Sequence, residues 1–268
     1  SALESPFGGV IKISGTITHA PNNPAEADKL KYKVQYKKST EAIWHDIEDK
    51  FRIWIRIDGV PSGYLDQEAI GGYFKYQKDL QAPTTVEVEG DVIAQWHTPV
   101  SGGDGLYEIR VLLYKLGAPP VPGVPADHIS SNTVKVRVDN TRPDAEIFLD
   151  AGPCEFTTPG AEITGKFKAT DQHFWRYRLT VLPYPPSTND KFKHRPLPAL
   201  EYIYGEEPAY PTLPASGVTN GTFGLDTLGM KPCGYVVYLY VWDRTIVNNH
   251  MQGNQKPASV GFCLLEEK

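Results

Sequence analysis

The side chains that most often carry enzyme chemistry are scattered along this chain and form no catalytic motif. The seven histidines include no His-Glu-x-x-His pair, the pattern that brings two zinc ligands together on a helix. No Gly-x-Ser-x-Gly turn presents a nucleophile, and no glycine-rich turn offers a phosphate site. The carboxylates mark no pair for glycoside hydrolysis. We therefore predict that the chain is not an enzyme and that it needs no cofactor other than the calcium considered below.

The length and composition of the chain indicate two all-β units. A chain of 268 residues is long enough for two domains, each able to bury its own core. The 23 prolines, 24 glycines and 15 tyrosines favour strands and turns over helices. The sequence therefore predicts an all-β fold.

The charge and hydropathy of the chain argue against two classes of partner. The formal charge is −5, and no cluster interleaves basic with aromatic residues, so nucleic acid is not expected as a partner. No window reaches the ~18 apolar residues that span a bilayer. We therefore expect no membrane span.

The two halves of the chain carry one pattern of residues in the same order. Residues 8–18 and 160–171 alternate apolar and polar side chains around a glycine, and tyrosine-rich strands follow at 30–38 and 174–182. Further matches pair Thr98 with Thr227 and Tyr107 with Tyr235, and both halves close with a strand, at 131–138 and 258–266. This agreement indicates a tandem repeat.

The segment "VRVDNTRPDAEIFLD" (136–150) contains the boundary between the two repeats. "VRV" ends a strand, "DNTRPD" (139–144) is a short polar connector, and Pro143 cannot donate to a strand ladder. We therefore predict domains at residues 1–140 and 141–268.

Several residues of the first half form motifs that are similar to those of a known family. A Trp-x-Thr before an Asp-Gly-x-Tyr-x-Ile-Arg-Val strand, and a Val-Asp-Asn-Thr-x-Pro exit, are similar to bacterial immunoglobulin-like or fibronectin type III-like repeats. The matching residues are Trp96, Thr98, Asp104, Gly105, Tyr107, Ile109, Arg110, Val111, Val138, Asp139, Asn140, Thr141 and Pro143. In the second half Leu225 replaces the tryptophan, and Cys233 with Gly234 replaces Asp-Gly.

The resemblance implies two tandem immunoglobulin-like antiparallel β-sandwiches of an extracellular or cell-surface protein. The function that follows is a non-catalytic structural, spacer or adhesive module. Its expected partners are other protein domains or glycans. A further alternative is a subunit that assembles through strand edges into a filament or larger particle.

Two insertions give a second functional hypothesis, a carbohydrate-binding or accessory module. Residues 58–83 hold a stretch that could form one short helix, and residues 183–217 are too proline-rich for regular structure. Exposed aromatic side chains in and near these insertions would stack on sugar rings: Trp54, Tyr73, Tyr76, Tyr202 and Tyr204. The alternative is that they only hold the loops against the sheets.

The resemblance also implies a calcium site. In such a sandwich the connector and the ends of the second and sixth strands meet at one end of the second unit. That end would gather Asp139, Asn140, Asp144, Asp171 and Asp243. Their oxygens suit calcium, which stiffens the joints of cadherins. The alternative is that these side chains cap turns.

The resemblance places Cys154 and Cys233 at the same end of the second unit. A disulfide between them would close a loop of about eighty residues. The alternative is that these two cysteines and Cys263 are free, buried thiols. No Cys/His spacing indicates a zinc site.

Overall fold

β-strands make up most of the chain that the structure describes. The computed structural model describes residues 5–15, 31–57, 60–75, 86–88, 92–98, 103–115, 121–152, 156–184, 201–203, 216–232, 234–248 and 253–265. These residues form 21 strands and no α-helix, which confirms the all-β prediction. No helix in these ranges has the length and hydropathy to cross a membrane.

The chain divides into two compact units. The N-terminal unit comprises Pro6–Asn140 with Ile246–His250, and the C-terminal unit comprises Ser1–Ser5, Thr141–Thr245 and Met251–Lys268. The main crossing from one unit to the other therefore falls between Asn140 and Thr141. The segment Ile246–His250, which returns to the N-terminal unit, is too short to show a strand period in the sequence.

The N-terminal unit contains thirteen short strands. They are β1 (Phe7–Gly8), β2 (Val10–Ser14), β3 (Lys31–Lys38), β4 (His45–Ile47), β5 (Phe51–Ile57), β6 (Val60–Gln67), β7 (Phe74–Lys75), β8 (Val86–Val88), β9 (Val92–His97), β10 (Gly105–Tyr114), β11 (His128–Ser130), β12 (Val134–Val138) and β20 (Ile246–Val247). The largest sheet has the order β20-β1-β12-β10-β3-β4, with β11 added to β10 and β7 added to β3. Two smaller sheets have the orders β2-β9 and β6-β5-β8.

Alternation along the strands builds the core of the N-terminal unit. In β3 Tyr32 and Val34 are buried, because side chains two residues apart point to one face of a strand. Trp96, only 1% exposed, packs its ring 5.0 Å from the Tyr36 ring and 5.2 Å from the Tyr107 ring. These aromatic contacts join β9, β3 and β10 into one core.

The described part of the first insertion contains strands and a glycine turn instead of a helix. Gly71 and Gly72 have φ values of +60° and +78°, and Ile70 pairs with Tyr73 across them. Positive φ lies outside the right-handed helical region and costs glycine little. The glycine pair therefore forms a turn between β6 and β7, and the helix expected here was wrong for residues 65–75.

The C-terminal unit contains eight strands in two sheets. They are β13 (Asp144–Leu149), β14 (Phe156–Thr157), β15 (Glu162–Thr170), β16 (Phe174–Tyr184), β17 (Glu201–Ile203), β18 (Gly217–Asp226), β19 (Gly234–Asp243) and β21 (Gln255–Leu264). One sheet has the order β13-β15-β18, and the other has the order β14-β21-β19-β16-β17. Every second residue of β19, from Tyr235 to Asp243, is buried. Inward side chains of both sheets form one buried cluster, as expected for stacked layers.

In each unit a strand near the start pairs in parallel with the last strand of that half of the chain. In the N-terminal unit β1 pairs with β12, and the Asp139 N–H donates to the Phe7 carbonyl over 2.9 Å. In the C-terminal unit β14 pairs with β21, and the Leu265 N–H donates to the Thr157 carbonyl over 2.9 Å. Backbone hydrogen bonds therefore join the start and the end of each unit.

The residues matched between the two halves make matching contacts. The Tyr107 hydroxyl donates to the Gly103 carbonyl over 2.6 Å, and the Tyr235 hydroxyl donates to the Lys231 carbonyl over 2.9 Å. Burial raises the pKa of Tyr107. The corresponding threonines are also buried. Each donates its hydroxyl to a backbone carbonyl: Thr98 to Gly9 and Thr227 to Ala161.

We expect Tyr235→Phe to destabilise the protein by about 1 kcal/mol, because it removes the hydroxyl and leaves the Lys231 carbonyl without this donor. Tyr238→Phe is the matched control, since the Tyr238 ring lies on the outer side of the same strand. Chemical denaturation of both variants measures the difference. Equal stabilities would show that the Tyr235 hydrogen bond contributes nothing.

Candidate functional site

The residues predicted to bind calcium fall into both units. Asp139 and Asn140 belong to the N-terminal unit, and Asp144, Asp171 and Asp243 belong to the C-terminal unit. Calcium binding by this set stays a prediction.

Asn140 forms hydrogen bonds to three separate segments of the N-terminal unit. Its Oδ1 accepts hydrogen bonds from the Gly9 N–H at 2.8 Å and from the Thr98 hydroxyl at 3.1 Å. Its own N–H donates to the Asp104 carboxylate over 2.6 Å. Asp139 beside it is 4% exposed. Asn140 thus makes the backbone contacts that the turn-capping alternative describes.

Asp243 organises the turn that follows β19. The Oδ1 atom accepts from the Thr245 N–H at 2.9 Å and from the Asn254 N–H at 2.7 Å. The Oδ2 atom accepts from the Asn254 side-chain amide at 2.8 Å. Asp243 is fully buried, and a buried carboxylate requires such partners. Its oxygens therefore join the residues that follow β19 to Asn254, the residue before β21.

Asp144 lies between two lysines at the start of β13. Lys168 on β15 contacts one carboxylate oxygen, and Lys256 on β21 lies 3.3 Å from the other. Hydrogen bonding to Lys168, followed by that to Lys256, lowers the pKa of Asp144 against the opposing effect of burial. The positive charges thus supply the neutralisation that a metal ion would otherwise provide.

Asp171 occupies the turn between β15 and β16 together with a residue that the sequence did not single out. The Asp171 carboxylate accepts from the His173 N–H over 2.6 Å, and a ligand atom of each residue lies within 4.8 Å of the other. A histidine two residues after an aspartate is a weak sequence signal, because many turns have this composition.

Tyr73 is the predicted ligand-binding aromatic residue whose side chain the structure describes. Lys31 and Lys33 place their ammonium groups 4.4 Å and 4.6 Å from its ring centroid. Its hydroxyl lies 2.8 Å from Nε2 of His128, and the two rings stack. The Tyr73 ring is therefore already engaged in cation–π contacts with two lysines and in stacking with His128.

The other predicted aromatic and cysteine positions are less fully described. Trp54 pairs with Tyr64 in β5 and β6, and Tyr202 pairs with Tyr177 in β17 and β16. The structure describes the strand positions of Trp54 and Tyr202 and not their side chains. Tyr76, Tyr204, Cys154 and Cys233 lie outside the described residues, so the disulfide stays a prediction.

The outer face of the largest N-terminal sheet carries a network of internally paired polar groups. Arg110 is 8% exposed and donates twice to the Gln35 side-chain carbonyl, at 2.8 Å and 3.0 Å. Gln35 donates to Asp46, which pairs with Lys33. The Arg110 guanidinium also lies 4.1 Å from the centre of the Trp44 ring. These groups satisfy one another and stabilise the sheet.

A row of aromatic rings on β19 is the most distinctive surface of the C-terminal unit. Tyr238, Tyr240 and Trp242 alternate with buried residues and are half-buried on the outer face. Neighbouring ring centroids are 5.9 Å and 5.8 Å apart, with interplanar angles of 19° and 27°. We call these three residues together with Trp175 and Arg176 the aromatic strip.

A β-bulge places two residues of β16 beside Trp242. The register of β16 against β19 shifts between Phe174 and Arg176, and a bulge redirects side chains locally. The Arg176 guanidinium lies 4.5 Å from the Trp175 ring centre and 4.4 Å from the Trp242 ring centre. Within the described residues its buried Nε has no hydrogen-bond partner. At one end of the aromatic strip, the Arg176 guanidinium therefore makes cation–π contacts with the indole rings of both Trp175 and Trp242.

Polar residues flank the aromatic strip on both sides. On β16, Arg178 lies opposite Tyr240 and Thr180 lies opposite Tyr238. On β21, the positions opposite the three rings of β19 are Gln255, Pro257 and Ser259. No acidic side chain that the structure describes forms an ion pair with Arg176 or Arg178. On β17, the positions opposite Arg176 and Arg178 are Ile203 and Glu201. The face is therefore aromatic and polar, with two arginines and one acidic position on its β16 side.

The sequence contains a pattern that predicts this face, but the carbohydrate-binding hypothesis considered only aromatic residues in and near the two insertions. "YLYVW" (238–242) has an aromatic residue at every second position, and such spacing places all three on one side of a strand. The bulge that adds Trp175 and Arg176 depends on strand register, which the sequence does not show.

The chain matches no protein-family model, and comparisons with curated proteins and with solved structures find no significant match.

We expect Asp243→Ala to destabilise the protein by on the order of 2 to 4 kcal/mol, since it removes several hydrogen bonds to a buried charge. Thermal melts with and without millimolar calcium separate the two interpretations of Asp243. Turn capping predicts the same loss in both conditions. A calcium-dependent rise in melting temperature that Asp243→Ala abolishes would instead support the predicted metal site.

We expect the stability difference between the wild type and Asp144→Asn to depend on pH. Because the lysines lower the folded-state pKa of Asp144, its contribution is fully present above the unfolded value of about 4. The contribution is lost as the pH falls through the lowered pKa. Urea unfolding from neutral pH to about pH 2 measures the difference.

Asp150→Asn is the control, because Asp150 is exposed and makes no side-chain contact in the described structure. A difference for Asp144→Asn that stays constant across the pH range would contradict the role of the lysines. The effect is expected to be small, since solvent screens these partly exposed groups.

Proposed function

We propose that the chain is a non-catalytic structural module, a spacer or adhesive segment of a bacterial extracellular or surface protein. In this proposal each unit is an immunoglobulin-like β-sandwich. The strand order of the C-terminal unit supports it. When the two-residue β14 is left out of the count, its first, second and fifth strands, β13, β15 and β18, form one sheet. Its third, fourth, sixth and seventh strands, β16, β17, β19 and β21, lie in the other. This division resembles that of immunoglobulin-like domains.

The tyrosine contacts support the same proposal for both units. Tyr107 and Tyr235 stand near the starts of β10 and β19, and each bonds to a carbonyl four residues upstream. This arrangement corresponds to the tyrosine corner of immunoglobulin-like sandwiches. The shared contact also favours a tandem repeat as the origin of the two units.

The observation that carries the spacer role is the parallel pairing of end strands. In each unit the pairing joins a strand near the start to the last strand of that half of the chain, as β14 pairs with β21. A force that pulls the two ends of a unit apart then acts along the paired strands and perpendicular to the hydrogen bonds between them. The bonds must break together, because shear loads all of them at once. This geometry suits a segment that transmits force.

The adhesive role is supported by the aromatic strip, because tyrosine, tryptophan and arginine are enriched where proteins bind partners. Placement outside the cell rests on the family resemblance alone. A glycan or another protein domain would be the partner.

We expect Leu265→Pro to lower the force at which the C-terminal unit unfolds. Proline lacks the N–H that Leu265 donates to Thr157, and one fewer bond then resists shear. Single-molecule pulling at the two chain ends measures this force, with Leu265→Ala as the control for the lost side chain. Chemical denaturation should show an equilibrium loss of only about 1 kcal/mol. Equal unfolding forces for both variants would contradict the spacer mechanism.

A further inference from the structure

We propose that the aromatic strip is a docking face for one strand of an acidic polysaccharide. This inference deepens the adhesive part of the proposed function and is independent of the spacer mechanism. It differs from the sequence-based hypothesis, because the residues involved lie on a sheet face and not in the insertions. The juxtaposition that carries it is the row of rings on β19 beside Arg176, whose guanidinium contacts the Trp175 and Trp242 rings and forms no ion pair among the described residues.

The geometry of the row suits an extended chain of sugar units. Neighbouring ring centroids on β19 lie 5.9 Å and 5.8 Å apart, a spacing of the same order as the length of one sugar unit in an extended polymer. Successive units could therefore meet Tyr238, Tyr240 and Trp242 in turn. The apolar C–H side of a sugar ring packs on aromatic carbon, and the sugar hydroxyls need polar neighbours. Thr180, Ser259 and Gln255 supply those neighbours on both sides of the row.

The row is also held in place before any ligand arrives. The rings contact one another along β19, and Arg176 fixes Trp242 and Trp175 from the side. Aromatic side chains with few rotatable bonds lose little entropy on binding. A face of this kind can bind a flexible polymer without a large cost of ordering the protein.

The charge of the face selects the class of polysaccharide. The whole chain carries a formal charge of −5, but this face presents two arginines, Arg176 and Arg178, against one acidic position, Glu201, which lies opposite Arg178. Guanidinium groups bind carboxylates and sulfates with two parallel hydrogen bonds. A polymer with acidic groups at regular intervals therefore complements the face better than a neutral one.

The residues around the rings favour a glycan over a protein partner. The centre of a stable protein interface is usually apolar and excludes water. Here, by contrast, Tyr238 lies between Thr180 and Ser259, and Trp242 lies between Arg176 and Gln255. None of the ring side chains is among the highly exposed hydrophobic residues. The face therefore offers ring surface and hydrogen-bonding groups together.

The test measures binding of the whole chain to oligogalacturonate, with fully methyl-esterified oligogalacturonate of the same length as the neutral probe. We expect the acidic oligomer to bind at least about tenfold more tightly, and the binding to weaken as salt rises. Tyr240→Thr and Arg176→Gln should each weaken binding by on the order of tenfold, the usual effect of truncating a central aromatic or arginine contact.

Two control variants lie on the outer face of the other sheet of the same unit. Phe148→Thr removes an exposed aromatic ring, and Lys166→Gln removes an exposed positive charge. Both should bind as the wild type does. Melting temperatures of all four variants establish that each is folded, and threonine at position 240 keeps a residue that favours strands.

Three outcomes would overturn the proposal. They are equal binding of the acidic and esterified oligomers, wild-type binding by both strip variants, and no binding of the acidic oligomer together with concentration-dependent self-association that Tyr240→Thr removes. The last result would assign the face to a second copy of this chain. Because pulling experiments test the spacer role separately, a failure here leaves that result standing, and the reverse also holds.

Discussion

The alternation of inward and outward side chains along β19 is the constraint on which the C-terminal unit depends. Its inward residues Val237, Leu239 and Val241 are 1% exposed or less, and they belong to the buried cluster of this unit. The same period of two turns the tyrosines and the tryptophan outward. A shift of register by one residue would exchange the two sets. One strand therefore fixes both the core and the candidate binding face.

The polar groups at the ends of strands explain why this alternation stays in register. Asp243 ends β19 and accepts bonds from the turn that leads to β21. Tyr235 near the other end of β19 bonds to the loop before it. Asn140 and Thr98 do similar work in the N-terminal unit, where both contact Gly9. Several of the carboxylate and amide oxygens that suggested calcium from sequence are thus engaged in joining strands.

Glycine is required at the places where this packing is closest. A Cβ atom at Gly253 would lie 2.3 Å from the carbonyl oxygen of Asp243, and one at Gly217 would lie 2.2 Å from that of Ala169. Both glycines also have positive φ, which other residues adopt only with strain. The turn after β19 therefore depends on Gly253 as well as on the carboxylate of Asp243.

Sequence reasoning predicted the parts of this fold that follow from local pattern. Alternation and turn composition were sufficient for the all-β class, and the pairs Thr98 with Thr227 and Tyr107 with Tyr235 were recognised because each pair has the same neighbours. Strand β20 was missed, because two residues carry no period. The bulge at Trp175 was missed because it exists only relative to a partner strand. The helix expected near Gly71 was wrong because a glycine pair favours a turn.

In the C-terminal unit, the two proposed roles depend on different chemical groups of one sheet. The spacer role rests on backbone hydrogen bonds between end strands such as β14 and β21, and most side chains leave those bonds unchanged. The docking role rests on outward side chains of β16 and β19, which contribute little to the core because they face away from it. The sequence of the outer face can therefore change without loss of the fold. A row of aromatic residues and an arginine on the outer face, where they add little to the core, is more readily explained by binding than by stability.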